Sequence, residues 1–339
     1  MKIELFDFNL PDELIAQHPM EKRDHSRLFV IDRKTDERRH KHFYDIVDEL
    51  TENDVLVMNN TKVIPARLIG EKEDTKAGIE VLLLKEIKPG VWEALTKPAK
   101  RIKVGTVVSF GNGLLKMQCI EEREEGIRVY QAIYEGIFLE VLDKLGTMPL
   151  PPYITEKLTD QSRYQTVYAA NPGSAAAPTA GLHFTKELLQ KIKEKGVEII
   201  EVTLHVGLGT FRPVQVDDTN QHHMHNESYE ITEYAAERLN LAVKNKKNIV
   251  AVGTTSVRTL ESNYHNGFTA GHFDTAIFIH PGYKFKAVGS IITNFHLPKS
   301  TLIMLISAFY DREKILDCYR EAIEKNYRFF SFGDSMFLK

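Results

Sequence analysis

The sequence predicts an α/β fold, a mostly parallel sheet layered with helices, carrying an inserted small all-β barrel. Three observations lead there. Strand-like and helix-like segments alternate before residue 65 and again after residue 151. Short β-branched runs crowd residues 66–150, with no helix-length amphipathic stretch until the end of that span. Three prolines within Pro149–Pro152 then mark a stiff, extended return. Residues 1–65 and 151–339 are therefore expected to form one discontinuous α/β domain, and residues 66–150 the barrel.

Taken in order, "PDELIA" reads as a short helix, "RLFVID" as a strand, "FYDIVDEL" as a helix and "DVLVMNN" as a strand. A charged hairpin tip lies between the first strand and the second helix. From Arg67 come "IEVLLLKEI", "VWEAL", "TVVSF", "LLKMQCI" and "IRVYQAIY". So many closely spaced strands would leave too many edges in an open sheet, so closure is the economical solution. The helix "GIFLEVLDKLG" ends the insert. Beyond the prolines, "TKELLQKIKEKG" has Thr185 as cap and Gly196 as stop, and "VEIIEVTLHVG" follows as a strand. The same order recurs in "NIVAVG" leading to "VRTLES", in the strand "DTAIFI", in "SIITN" leading to "STLIMLISAF", and in a last helix near Ile315–Lys325.

Composition excludes several classes. With 339 residues and 42% apolar content the chain can fill a sizeable core, and a formal charge of -3 makes any polyanion site a matter of local clustering. Cys119 and Cys318 stand alone, so neither a metal knuckle nor a redox pair is expected. The start, "MKIELFDFNL", carries acids where a signal peptide needs an apolar run, and "TLIMLISAF" is nine residues, about half of a membrane span. A cytoplasmic protein with no membrane association is expected.

In open α/β sheets ligands sit beyond the carboxyl ends of the strands. Four segments there share glycine or hydroxyl residues beside a histidine or arginine: "AAAPTAGLHFT", "HVGLGTFRP", "GTTSVR" and "NFHLPKS". Glycine lets backbone amides approach a ligand, while hydroxyls and helix N-termini hold anionic oxygens. In "GTTSVR", three hydroxyls followed by Arg258 in a first helical turn suit a carboxylate or phosphate; plain capping with a surface arginine is the alternative. His205 beside "GLG" reads equally as a hydrogen-bonded strand-end histidine. "HHMHNE" suggests metal, but adjacent His222 and His223 point to different sides and no i, i+4 pair occurs, so proton transfer or substrate contact is preferred and no metal is expected.

Two basic clusters stand out. Lys97, Lys100, Arg101 and Lys103 lie in "KPAKRIK", and Arg33, Lys34, Arg38, Arg39 and Lys41 crowd the early hairpin. Solvated surface charge is one reading, with the acids of "EEREE" on a different face. A phosphate track is the other.

Together these segments, with "RDHSRL", "NNTKVIPARL", "RYQTVYA" and "YRFFSFGDSM", resemble one family almost from end to end: the S-adenosylmethionine:tRNA ribosyltransferase-isomerases of queuosine biosynthesis. A departure is Gly289, where the family pattern suggests an acid. The resemblance implies transfer and isomerisation of the ribosyl moiety of S-adenosylmethionine onto 7-aminomethyl-7-deazaguanine in a tRNA anticodon, giving epoxyqueuosine-tRNA, adenine and methionine. The partners implied are that precursor tRNA and S-adenosylmethionine, the latter consumed as ribosyl donor rather than kept as a cofactor; no obligate protein partner is implied. Such chemistry needs a base, an acid and an uncharged amine. The expected catalytic residues are His183, His205, His225, Glu227 and Arg258. Thr179, Gly181, Phe184, Gly207, Phe211, Thr254, Thr255, Ser256, Asn294, Phe295 and His296 are expected around the substrate, with the phenylalanines stacking on a base. Lys62, Arg67 and the "KPAKRIK" cations are expected to face RNA. The bare stretch up to Gly181 would let a flat base lie against the backbone, so that leucine at Ala180 or Gly181 would spare the fold.

Two rivals compete with this reading. A methyltransferase would normally carry its Gly-rich loop after an early strand, whereas "HVGLGTFRP" comes late. A non-catalytic RNA-binding protein would use the barrel alone.

Overall fold

The computed structural model describes residues 1–207, 214 and 216–339. Its chain separates into two compact units. One comprises Met1–Thr61, Pro152–Asn171 and Pro178–Lys339, and the other Lys62–Pro151 with Pro172–Ala177. The boundary near residue 65 thus falls four positions earlier, at Thr61–Lys62, and Ala175–Ala177 of the bare stretch count with the second unit.

The first unit is built on strands β1 (Arg27–Ile31), β2 (Arg38–His42) and β3 (Asp54–Asn59). The chain then passes through β4 (Thr61–Val63) into the second unit: β5 (Arg67–Lys72), β6 (Gly78–Lys88), β7 (Val91–Lys97), β8 (Val107–Phe110), β9 (Leu115–Glu122) and β10 (Ile127–Tyr134). These last six close into an antiparallel barrel in the order β10-β7-β6-β5-β8-β9, as the crowding of short strands demands. Inward residues such as Leu68, Val81, Ala94, Val108, Met117 and Tyr130 are fully buried.

After β11 (Asn171–Ser174) the main sheet resumes with β12 (Glu198–Leu204), β13 (Glu227–Ile231), β14 (Asn248–Val252), β15 (Gly271–Thr275), β16 (Ser290–Asn294) and β17 (Ser335–Leu338). Among the described residues it has nine strands, ordered β15-β13-β12-β3-β14-β16-β17-β1-β2. Its parallel heart is β12, β3, β14 and β16. Outside that heart the joins to β13, β15 and β2 are antiparallel, as is β16 to β17, so the sheet is mixed rather than parallel throughout. Strand β3 is buried at every position, as a central strand covered on both faces must be.

The helices are α1 (Ile46–Glu49), α2 (Phe138–Leu145), α3 (Lys186–Glu194), α4 (Glu233–Lys244), α5 (Gly253–Asn263), α6 (Thr301–Phe309) and α7 (Arg312–Glu324). Helix α3 starts where its cap was expected: the Thr185 hydroxyl accepts from the Leu188 N–H at 3.0 Å, and Gly196 ends the turn at φ +88°. The "PDELIA" helix is only a 3-10 turn, Asp12–Leu14. The strand expected at "DTAIFI" lies earlier, in the polar edge segment of β15, where three of the five residues face solvent and no apolar alternation marks it. Helix α6 buries Ile303, Met304, Leu305, Ile306 and Phe309, so the nine-residue apolar run is core. No helix among the described residues is long and apolar enough to cross a membrane.

Candidate active site

The carboxyl ends of β12, β3 and β14 set the site. At the end of β3, Asn59 is wholly buried and its amide brackets Leu204: Nδ2 donates to the Leu204 carbonyl and Oδ1 accepts from the Leu204 N–H, each at 3.0 Å. That clamp fixes how the chain leaves β12 and places His205. The His205 Nδ1 shares a 2.8 Å hydrogen bond with the Thr61 hydroxyl, and its backbone N–H donates to the Ser228 carbonyl. Burial holds its pKa below the usual histidine range, a neighbouring Glu230 charge opposing, so the ring is neutral near pH 7.

Two residues on, the Gly207 N–H donates to one oxygen of Glu227 at 3.0 Å. The other oxygen accepts from Nη1 of Arg258, and the two side chains are only 4% and 5% exposed. Arg258 reaches Glu227 because α5 begins at Gly253, whose φ of +82° few residues other than glycine adopt. The helix starts at that glycine, so Arg258 falls in its second turn rather than its first. Among the described residues, Nε and Nη2 of Arg258 and the hydroxyl of Thr255 are buried without a partner. Buried donors are almost always satisfied, so this unfilled edge is where a polar ligand is wanted. Thr254 is also buried, but Ser256 spends its hydroxyl on the Val252 carbonyl at 2.7 Å.

A second group lies across the start of α5. The 3-10 turn Thr179–His183 packs there, with the Ala180 side chain 3.6 Å from where a Gly253 Cβ would stand. His183 is fully committed: Nδ1 bonds the Ser26 hydroxyl at 2.7 Å and Nε2 the Asn294 amide at 3.0 Å. The Asn294 Nδ2 also donates to the Phe330 carbonyl, so Nε2 of His183 is the acceptor and Nδ1 carries the proton. Burial, aided by the charges of Arg23 and Arg328, pushes its pKa down to about 3. His183 therefore orients neighbours and has no free nitrogen for proton transfer.

Other expected residues sit differently. An ideal Cβ on Gly181 would stand 2.0 Å from the Tyr168 hydroxyl, so the protein itself fills the space beside this glycine. Ala180 belongs to the core of the first unit, and leucine at either position would disrupt packing rather than spare it. Phe184 packs edge-on against Phe43 with ring centroids 4.8 Å apart, and Phe295 lies among Tyr319, Tyr327 and Phe329; both are core rings and neither is open to a base. His296 is buried with Nε2 on the Thr293 hydroxyl, and desolvation pushes its pKa down to about 3. His225 is exposed, Thr179 half-buried, and Phe211 lies outside the described residues. Among the described residues no group of histidine, cysteine and carboxylate side chains is arranged to hold a metal. Gly289 leaves room for Asn248, whose Oδ1 would lie 2.0 Å from an added Cβ; it precedes β16 and is remote from the strand exits.

The basic clusters also divide. Lys97, Lys100 and Arg101 are exposed on the barrel, as is Lys62, whereas Lys103 pairs with Glu122 at 3.1 Å. Arg128 donates to the carbonyls of Ala99, Ile102 and Arg123, tying the basic segment to the acidic one, so "EEREE" lies beside "KPAKRIK" and not on another face. Arg67 faces Glu80 at 3.8 Å. In the hairpin, Arg39 and Lys41 converge with Lys339 on Glu49, Arg38 meets Asp36 and Glu321, and Arg33 stacks on Phe309. Those cations hold the fold. Asn59, Tyr168 and Arg23 escaped the sequence reading; the doubled asparagine of "NNTKV" was the available signal for the first.

A family model described as queuosine biosynthesis protein matches residues 3–338. The chain belongs to that queuosine biosynthesis family. A member-like crystal structure, S-adenosylmethionine tRNA ribosyltransferase from Thermotoga maritima, is 36% identical over 99% of this chain and 100% of that one, with a TM-score of 0.57. The family resemblance drawn from the motifs and the combination of mixed sheet and closed barrel are thereby both established. In this member of the queuosine biosynthesis family, Gly207, Glu227 and Arg258 are bonded in one chain with His205 two residues before Gly207, and His183 and Asn294 form a second bonded pair of expected residues.

Proposed function

We propose that the protein transfers and isomerises the ribosyl moiety of S-adenosylmethionine onto 7-aminomethyl-7-deazaguanine in a tRNA anticodon, releasing adenine and methionine and leaving epoxyqueuosine. Family membership supports the reaction class. The observation that carries the site assignment is the buried, unfilled edge of Arg258 beside Thr255.

That edge suits the methionine carboxylate: two guanidinium N–H groups and a hydroxyl make a charge-assisted set, while Glu227 holds Nη1 and fixes the plane of the guanidinium. His205 is the proton acceptor. In the tautomer whose Nδ1–H is donated to the Thr61 hydroxyl, Nε2 presents a lone pair, and a neutral ring is the form that can take the proton acidified by the adjacent sulfonium. His183 acts indirectly, holding Asn294 and the turn that abuts α5. The exposed cations Lys97, Lys100 and Arg101 hold RNA phosphates.

The test is product analysis after incubation with S-adenosylmethionine and precursor tRNA. Free adenine in step with modified tRNA is expected. S-adenosylhomocysteine instead would mean methyl transfer, and binding without any product would mean an RNA-binding module; either overturns the reading.

A further inference from the structure

One cationic cavity plays no part in that chemistry. It is a shallow pocket that opens to solvent within the first unit and is lined by Arg23, Arg163, Ser26, His183, Ser331 and Gly333 among others. Arg23 donates to the carbonyls of Ser162, Arg163 and Leu182 at 3.1, 3.4 and 3.2 Å. Arg163 returns the clasp, donating to the carbonyls of Met20 and Glu21. These partners are neutral, and the one carboxylate that acts on both guanidinium groups, Asp160, is bonded to neither, so two positive charges face a single negative one.

The nearby carboxylates make their hydrogen bonds to other groups, although the charge of Asp160 still acts on both arginines. Asp160 accepts from the N–H and hydroxyl of Ser162, and Asp334 from the backbone N–H groups of Arg27 and Arg328. Among the described residues, Nε of Arg163 and Nη1 of the neighbouring Arg328 are buried and have no partner. Burial, then repulsion by Arg163, keeps the Arg23 pKa below the ordinary arginine range, and the opposing charge of Asp160 does not restore it. A half-buried cluster of this kind recruits an oxyanion. The donor substrate carries one carboxylate, which Arg258 already accommodates, so the remaining anion must come from the RNA.

We propose that Arg23 and Arg163 form a subsite for one backbone phosphate of the RNA substrate. The subsite rests on the proposed tRNA reaction and adds a contact on the catalytic unit to those offered by the barrel.

The test measures binding of precursor tRNA to the full chain by filter retention across a KCl series, comparing wild type, Arg163→Gln and Arg163→Lys, with S-adenosylmethionine binding followed separately by calorimetry. Each phosphate contact contributes about 0.7 to 0.9 to the slope of log K against log salt. Arg163→Gln is expected to lower the slope by that amount, Arg163→Lys to keep it, and S-adenosylmethionine affinity to stay constant. The slope does not depend on the active fraction, so partial misfolding cannot imitate the result. An unchanged slope in Arg163→Gln, an equal loss in both variants, or a fall in S-adenosylmethionine affinity alone overturns the subsite. Wild-type protein that binds tRNA with the expected slopes yet releases no adenine would sink the reaction and leave the subsite standing.

Discussion

Arg258 donates to the carboxylate of Glu227 inside the protein, where the two side chains are 5% and 4% exposed. Hiding both charges is costly, and their mutual attraction, with the Gly207 N–H on the second carboxylate oxygen, offsets that cost only while all partners are present. The fold thus maintains a strained balance of charge at the very point where strand exits meet a helix start. Such an arrangement gives little net stability, which is why a ligand-binding role for the free edge of Arg258 is the better account of it.

Removing one partner should therefore be far worse than removing both. Glu227→Gln leaves a buried guanidinium without its counter-charge and is expected to cost about 3–5 kcal/mol in urea unfolding. Glu227→Gln with Arg258→Met should recover most of that stability, yet adenine release should stay abolished. Recovery of activity in the double variant would show that the pair serves packing alone.

The pH profile of stability should carry the mark of His183. Its folded-state pKa is about 3, against an ordinary value of 6.5. Between those values the unfolded chain binds a proton that the native ring refuses, so stability is complete above pH 6.5 and falls as the pH drops towards 3. The slope is about 1.4 kcal/mol per pH unit for one such histidine, and His296 adds a similar one. His183→Asn should remove its share of the acid sensitivity in denaturant titrations between pH 6 and 4.5. An undiminished slope would place the neutral ring in doubt.

Gly181 and Tyr168 supply a second pair whose coupling can be measured. Gly181→Ala pushes a methyl group into the Tyr168 hydroxyl, only 2.0 Å from the ideal Cβ, and into the Thr166 methyl at 2.8 Å. Overpacking of this kind costs about 1–3 kcal/mol. Tyr168→Phe in the same chain should return part of the loss, because the nearest clashing atom is gone and the hydroxyl has no partner among the described residues to lose. Additive melting-point changes in the double variant would refute the contact.

Local signals made much of this fold readable. Thr185 and Gly196 bracket α3 by capping chemistry that operates within a few residues, and the density of short strands after Arg67 forces barrel closure whatever their order. The strand exits likewise pointed to His205, Gly207 and Arg258, and the histidine-rich "HHMHNE" to Glu227. What the sequence withheld is orientation. Phe184 and Phe295 sit in the right loops but turn towards Phe43 and Tyr319, partners far along the chain that no local pattern names. Gly181 looked bare for a ligand because Tyr168, which fills the space, lies in a separate motif. The polar edge strand β15 was misplaced since an edge facing water needs no apolar alternation.

The barrel cations yield the last prediction. Lys100 and Arg101 are exposed on the 3-10 turn Ala99–Arg101, and no carboxylate among the described residues pairs with them, whereas Lys103 is held by Glu122. A cation already paired must give up its partner to meet a phosphate, so the free ones should dominate RNA affinity. Lys100→Gln with Arg101→Gln is expected to lower the salt slope of tRNA binding by about 1.4 to 1.8, and Lys103→Gln by clearly less than one contact's worth. Stability should change by no more than about 0.5 kcal/mol in any of them, as is usual for exposed positions. Equal slopes for all variants, measured by filter retention, would remove this face of the barrel from the RNA path.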